Sequence, residues 1–174
     1  MRRIHLVRPG RLAIAGGAIV LALALPATTL AATITGTPGN DTLIGTADAD
    51  TIYGLAGDDS IGGGGGNDHL YGGDGADRIR GGDGADWISG GNGPDSIYGG
   101  SGPDTIYGSY GNDGIGGGPG RDILYGGYGN DVIVAYGDRT ADAVHCGPGW
   151  DAAYLGRYDV ADSSCERVVR TLEP

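Results

Sequence analysis

The chain has 174 residues, 39 of them glycine, and contains neither phenylalanine nor lysine. Acidic side chains outnumber basic ones 22 to 11, for a formal net charge of −11; this argues against nucleic acid, whose binding rests on Lys and Arg neutralising phosphates, and favours a cationic ligand. So much glycine without a Gly at every third position also excludes a collagen triple helix.

Residues 1–32 read as an export signal. Arg2, Arg3, Arg8 and Arg11 give a positive start, Leu12 to Leu25 is an uncharged apolar run, Pro26 interrupts it, and Ala31-Ala32 offers a cleavage point. The alternative is a retained membrane anchor, because the run nearly reaches spanning length. Export places the rest of the chain outside the cell, as a secreted protein.

From Gly36 to Val134 the sequence falls into eleven blocks of nine residues with no insertion, within a region spanning 33–134. Gly72 to Arg80 is a representative block. Position one is Gly throughout: Gly36, Gly45, Gly54, Gly63, Gly72, Gly81, Gly90, Gly99, Gly108, Gly117 and Gly126. Position four is Gly except at Asp48. Position six is always Asp: Asp41, Asp50, Asp59, Asp68, Asp77, Asp86, Asp95, Asp104, Asp113, Asp122 and Asp131. Position eight is always Leu or Ile, from Leu43 to Ile133.

Positions seven to nine predict a short strand whose eighth side chain points inward while its neighbours point outward. One aliphatic in nine cannot build an ordinary core. Two repeats facing each other across a flattened 18-residue coil can, if the coils stack. Glycines at positions one, two and four allow turns with positive φ and inward carbonyls. Stacking then sets successive Asp side chains about 4.8 Å apart along each edge, and their mutual repulsion calls for a hard cation with many oxygen ligands. A cage of protein oxygens favours Ca²⁺ over the smaller, reluctantly dehydrated Mg²⁺.

The pattern G-G-x-G-x-D-x-U-x resembles the nonapeptide of the RTX, or haemolysin-type, calcium-binding repeats. The resemblance implies an all-β fold, a right-handed parallel β-roll (β-solenoid) of 18-residue coils with a C-terminal cap. It also implies that each ion sits between stacked turns two repeats apart, held by the eleven aspartates above and by turn carbonyls, those of the position-one glycines among them. Roughly nine Ca²⁺ are then expected. Without calcium so glycine-rich and acidic a chain cannot offset its conformational entropy, so metal binding and folding are expected to be one event.

Residues 135–174 form a degenerate tail. Ala135 and Tyr136 break the phase; Asp142 and Val144, then Asp151 and Ala153, restore positions six and eight. The tail is expected to cap the open end. Cys146 and Cys165 are 19 residues apart, close to one coil, so a disulfide between adjacent coils is expected, with two free thiols as the alternative. On one sheet the outward positions carry Tyr53, Tyr71, Tyr107 and Tyr125, with Trp87 beside the single gap at Ser89. Such a stripe is either a partner face or the ordinary preference of aromatics for strands.

No nucleophile–base pair, paired acids in a pocket or catalytic metal motif stands out, so no enzymatic activity is expected. In many RTX-type proteins the repeats follow a toxin, protease or lipase domain; here they follow the signal directly. The expected partners beyond calcium are a cell-wall or matrix polymer, or a separately encoded exported protein that the array helps to fold.

Overall fold

The structure, a computed structural model, describes residues 19–21 and 31–171. Most of the segment read as an export signal lies outside these residues. Of it, Ile19–Leu21 forms a strand in parallel register with Thr42–Ile44. No helix among the described residues is long and apolar enough to cross a membrane.

All regular structure is β. Strands alternate between a nine-stranded and an eight-stranded sheet, so that each pairs in parallel with the strand after next. The register advances by 18 residues per coil, as in Ile52 beside Leu70 and Leu70 beside Ile88. This is a parallel β-solenoid.

Many strands are longer than three residues, although some, such as Thr42–Ile44 and Gly114–Gly116, are not. Most central ones run over six, such as Trp87–Asn92, taking in positions one to three of the following repeat. The turn is thereby confined to positions four to six. Position-two glycines such as Gly82 (φ 122) and position-four glycines such as Gly84 (φ 140) have positive φ. Position-one glycines do not, so backbone freedom does not explain them; their reason is space.

The inward ladder is continuous. Leu43, Ile61, Ile79, Ile97, Ile115 and Ile133 from one sheet meet Ile34, Ile52, Leu70, Ile88, Ile106, Leu124 and Val144 from the other, all buried. Ile34 stands on Thr33–Thr35, so the stack begins one strand before the first glycine. Each repeat buries one aliphatic side chain for nine ordered residues, and chain entropy outweighs that burial. Something else must hold the coils together.

The tail continues both sheets through Ala143–His145, Ala152–Leu155, Val160–Ala161 and Arg167–Arg170. The coil lengthens to 20 residues (Val132 beside Ala152), then shortens to 17 (Ala143 beside Val160) and 15 (Ala152 beside Arg167). Ala135 extends its strand and is buried, absorbing part of the break in phase. Val160 and Val168 are exposed. Cys146 and Cys165 form a disulfide across neighbouring coils, with Cα atoms 5.0 Å apart.

Candidate metal centre

The position-six aspartates stand in two ladders, one along each edge of the solenoid. Asp41, Asp59, Asp77, Asp95, Asp113 and Asp131 follow one edge; Asp50, Asp68, Asp86, Asp104 and Asp122 follow the other. All are buried, from 0% to 6% exposed. Within each ladder the Oδ1 atom accepts a hydrogen bond from the backbone N–H of the aspartate one coil earlier: Asp68 N–H to Asp86 Oδ1 at 2.9 Å, Asp77 N–H to Asp95 Oδ1 at 2.8 Å. One carboxylate oxygen thus locks the coils in register.

The other oxygen has no such role. Oδ2 is buried without any hydrogen-bond partner in Asp59, Asp68, Asp77, Asp86, Asp95, Asp104, Asp113, Asp122, Asp131 and Asp151. A buried ionised oxygen left alone is costly. Burial accordingly pushes the carboxyls of Asp95, Asp104 and Asp122 up to about 7 and those of Asp59, Asp68 and Asp131 up to about 6. The hydrogen bond to Oδ1 opposes that rise, and for these six the neighbouring aspartates of the ladder add to it.

Most of these orphaned oxygens converge with a backbone carbonyl from the next coil. A Cβ built on Gly81 would come closer than 3.0 Å both to Asp86 Oδ2 and to the carbonyl oxygen of Gly99, one coil on. Gly63 meets Asp68 and Gly81 in the same way, and Gly90 meets Asp95 and Gly108. Position one is glycine because a carboxylate and a carbonyl converge where its side chain would be. The carbonyl keeps a second lone pair beside its sheet hydrogen bond, as at Gly117, which accepts from Gly100 N–H at 3.0 Å, so a cation in the space the two oxygens share would be favourable to both. Among the described residues no three acidic, His or Cys side chains gather at one point. A cation held at these edges would take most of its oxygens from the backbone. That donor set, hard and rich in carbonyls, suits Ca²⁺.

Four stretches of the sequence, residues 35–70, 62–97, 89–122 and 116–139, match the RTX calcium-binding nonapeptide repeat. Together they cover more than half of the chain. The chain belongs to this RTX family. No curated protein matches it. The RTX array is thus a calcium-binding β-solenoid, with its carboxylates and turn carbonyls at the two edges.

The array is not uniform. In its first two repeats position two is Thr, and the Thr37 and Thr46 backbone N–H groups donate to Oδ2 of Asp41 and Asp50 at 2.5 Å, their hydroxyls at 2.9 and 3.0 Å. These aspartates are already satisfied by the protein. The sequence carried this signal in Thr37 and Thr46, the two threonines at position two of the eleven repeats. We therefore expect Asp86→Ala to raise the calcium midpoint of folding about tenfold, the scale of one lost charge-assisted contact, and Asp41→Ala to change it less than about twofold. Calcium titrations followed by circular dichroism check this; equal shifts would sink the distinction.

Both ladders also run past the eleven repeats. Asp122 N–H donates to Asp142 Oδ1 and Asp131 N–H to Asp151 Oδ1, each at 2.8 Å across the 20-residue coil. Asp142 N–H then reaches Asp159, and Asp151 N–H reaches Glu166. Asp159 and Glu166 were hidden in the sequence by the changing coil length. Asp159 is satisfied locally, its Oδ2 accepting from Gly156 N–H at 2.6 Å.

The aromatic stripe forms a single stack. Tyr53 and Tyr71 lie 4.8 Å apart, Tyr107 and Tyr125 4.7 Å apart, each pair nearly coplanar in orientation. Trp87, from position seven, fills the gap at Ser89, with its ring 5.1 Å from Tyr71 and 5.4 Å from Tyr107. His145 ends the series 4.7 Å from Tyr125. Cross-strand packing of the tyrosines, stacked in the two Tyr–Tyr pairs and tilted at Trp87, is enough to account for the stripe.

Proposed function

We propose that this is a secreted, non-catalytic calcium-binding repeat protein whose solenoid forms as its edge turns fill with Ca²⁺. The observation that carries the reading is the row of buried Oδ2 atoms without partners, most of them, from Asp59 to Asp113 and at Asp131, converging with a carbonyl one coil away. Asp59 to Asp131 are the principal carboxylate ligands, shared between successive coils and joined by turn carbonyls. About nine ions are expected, each supplying the attraction that one aliphatic per repeat does not.

The strongest catalytic look-alike supports a structural role. His145 Nδ1 lies 2.7 Å from Asp162 Oδ2, and Ser164 stands nearby, but its hydroxyl donates to Asp162 and not to the imidazole. The serine is paired with an acid and has no base to activate it.

Far-ultraviolet circular dichroism tests the proposal. The chain in chelator is expected to be largely disordered and to gain β structure on adding Ca²⁺ at about 10⁻⁴–10⁻³ M, the range of extracellular modules. Mg²⁺ at the same concentration should not substitute. A spectrum indifferent to chelator would overturn the metal-coupled reading.

A further inference from the structure

We propose that the outer face of the nine-stranded sheet carries a binding trough for an acidic sugar, centred on Arg78 and Arg80. These two are the sole Lys or Arg residues between Arg11 and Arg121. Both point outward from the strand Arg78–Asp83 and are exposed. Neither is in an ion pair among the described residues, where the single one is His145 with Asp162. In a chain this acidic, two unpaired arginines on one face of one strand, their Cα atoms about 7 Å apart, make a local positive site.

The surroundings give that site a shape. Gly62 lies beside Arg80 on the neighbouring strand, and nothing comes within 4 Å of where its side chain would be. The missing side chain opens a trough of about 420 Å³, walled by Ile44 on one side and Arg80 on the other. Arg80 is steadied by Tyr98, its guanidinium 5.6 Å from the ring centroid. Tyr98 in turn leans over Gly116 on the next strand. Ser60 and Ser96 flank Arg78 in register and present hydroxyls beside it.

The chemistry selects the occupant. A guanidinium fork binds a carboxylate through two parallel hydrogen bonds, and the flanking hydroxyls suit a polyhydroxylated ring lying over the glycine floor. A peptide is a poorer match. The strands under the trough are paired on both sides, so no backbone edge is free for strand addition. The strands that carry the aromatic stripe on the other sheet hold no Lys or Arg, which leaves this trough as the better match for an acidic saccharide. The proposal rests on calcium-driven folding, because the sheet must form and the aspartate ladders must be neutralised before an anionic chain approaches.

Isothermal titration of the calcium-loaded protein with a hexasaccharide of alternating glucuronate and N-acetylglucosamine tests it. Binding is expected, with little or none of a neutral hexasaccharide. The double variant Arg78→Ala/Arg80→Ala should weaken binding at least about tenfold, and Arg78→Lys/Arg80→Lys should give a smaller loss, since charge remains but the fork does not. Gly62→Val, filling the floor, should weaken it as well. Circular dichroism in calcium is recorded for every variant. A wild-type chain that folds normally but binds neither saccharide overturns the trough alone, whereas one that fails to fold with calcium overturns the reading beneath it. Equal binding of the neutral sugar, capture of a Glu-rich peptide in place of the saccharide, or unchanged binding by the double alanine variant would also overturn the proposal.

Discussion

Gly81→Ala is expected to raise the calcium needed for folding by tenfold or more, while Gly62→Ala, equally a glycine on a strand, is expected to stay within about twofold of wild type. The two differ in what a methyl group meets. At Gly81 it enters the space where Asp86 Oδ2 and the Gly99 carbonyl converge, both closer than 3.0 Å. Neither oxygen can yield, since Asp86 is held in register by its hydrogen bond from Asp68 and the carbonyl belongs to the next coil. The coils must separate, and an ion held by these oxygens would lose two ligands together. At Gly62 the methyl points into open space. Neither position has positive φ, so backbone strain is common to neither and the comparison isolates the site. Calcium titrations of both variants by circular dichroism decide the matter. A Gly81→Ala chain that folds at wild-type calcium would show that the edge oxygens do not hold the ion.

Acidification without calcium is expected to add β structure, the reverse of ordinary acid unfolding. In the unfolded chain these aspartates titrate near about 3.9. In the folded, metal-free array, burial raises Asp95, Asp104, Asp122 and Asp142 to about 7 and Asp59, Asp68 and Asp131 to about 6. The folded array therefore binds more protons than the unfolded chain between these limits. Its stability is greatest at the acid end of that window and is lost as pH rises through the folded values. Protonated, an Oδ2 also becomes a donor beside the carbonyl it faces. With calcium bound the carboxylates are ionised in both states above about pH 5, so the loaded array should show little change between about pH 5 and 7.5. Spectra of the chelated and the loaded chain across this range provide the check. A chelated chain that stays flat or loses structure on acidification would mean that the unpartnered carboxyls are not what opposes folding.

Much of this was legible in the sequence because the repeat couples two periodicities that only a solenoid satisfies. Asp every nine residues and Leu or Ile two residues later fix which side chains turn inward and which reach an edge, and so fix the 18-residue coil, the aliphatic ladder and the two acidic rows. The pairing of Cys146 with Cys165 followed from the same coil length. The strand limits did not follow, because Gly-Gly reads as turn chemistry; in the structure hydrogen bonds from neighbouring coils hold those glycines in the sheet ladder even though the second of each pair has a positive φ. The reach of the ladders to Asp159 and Glu166 was equally hidden, since coils of 20, 17 and 15 residues leave no period to read.

The fold class, the calcium-binding family and the residue types that gather at the two edges were all readable before folding, because each depends on a local pattern repeated in fixed phase. The tertiary structure alone decided what distinguishes one rung from another. It showed that Thr37 and Thr46 satisfy the first two aspartates, that the later ones each keep one oxygen without a partner, and that position-one glycine is required by a carbonyl from the next coil. These are relations between residues 18 apart that become neighbours only when coils stack, and the stacking is what brings the unpaired oxygens together for calcium.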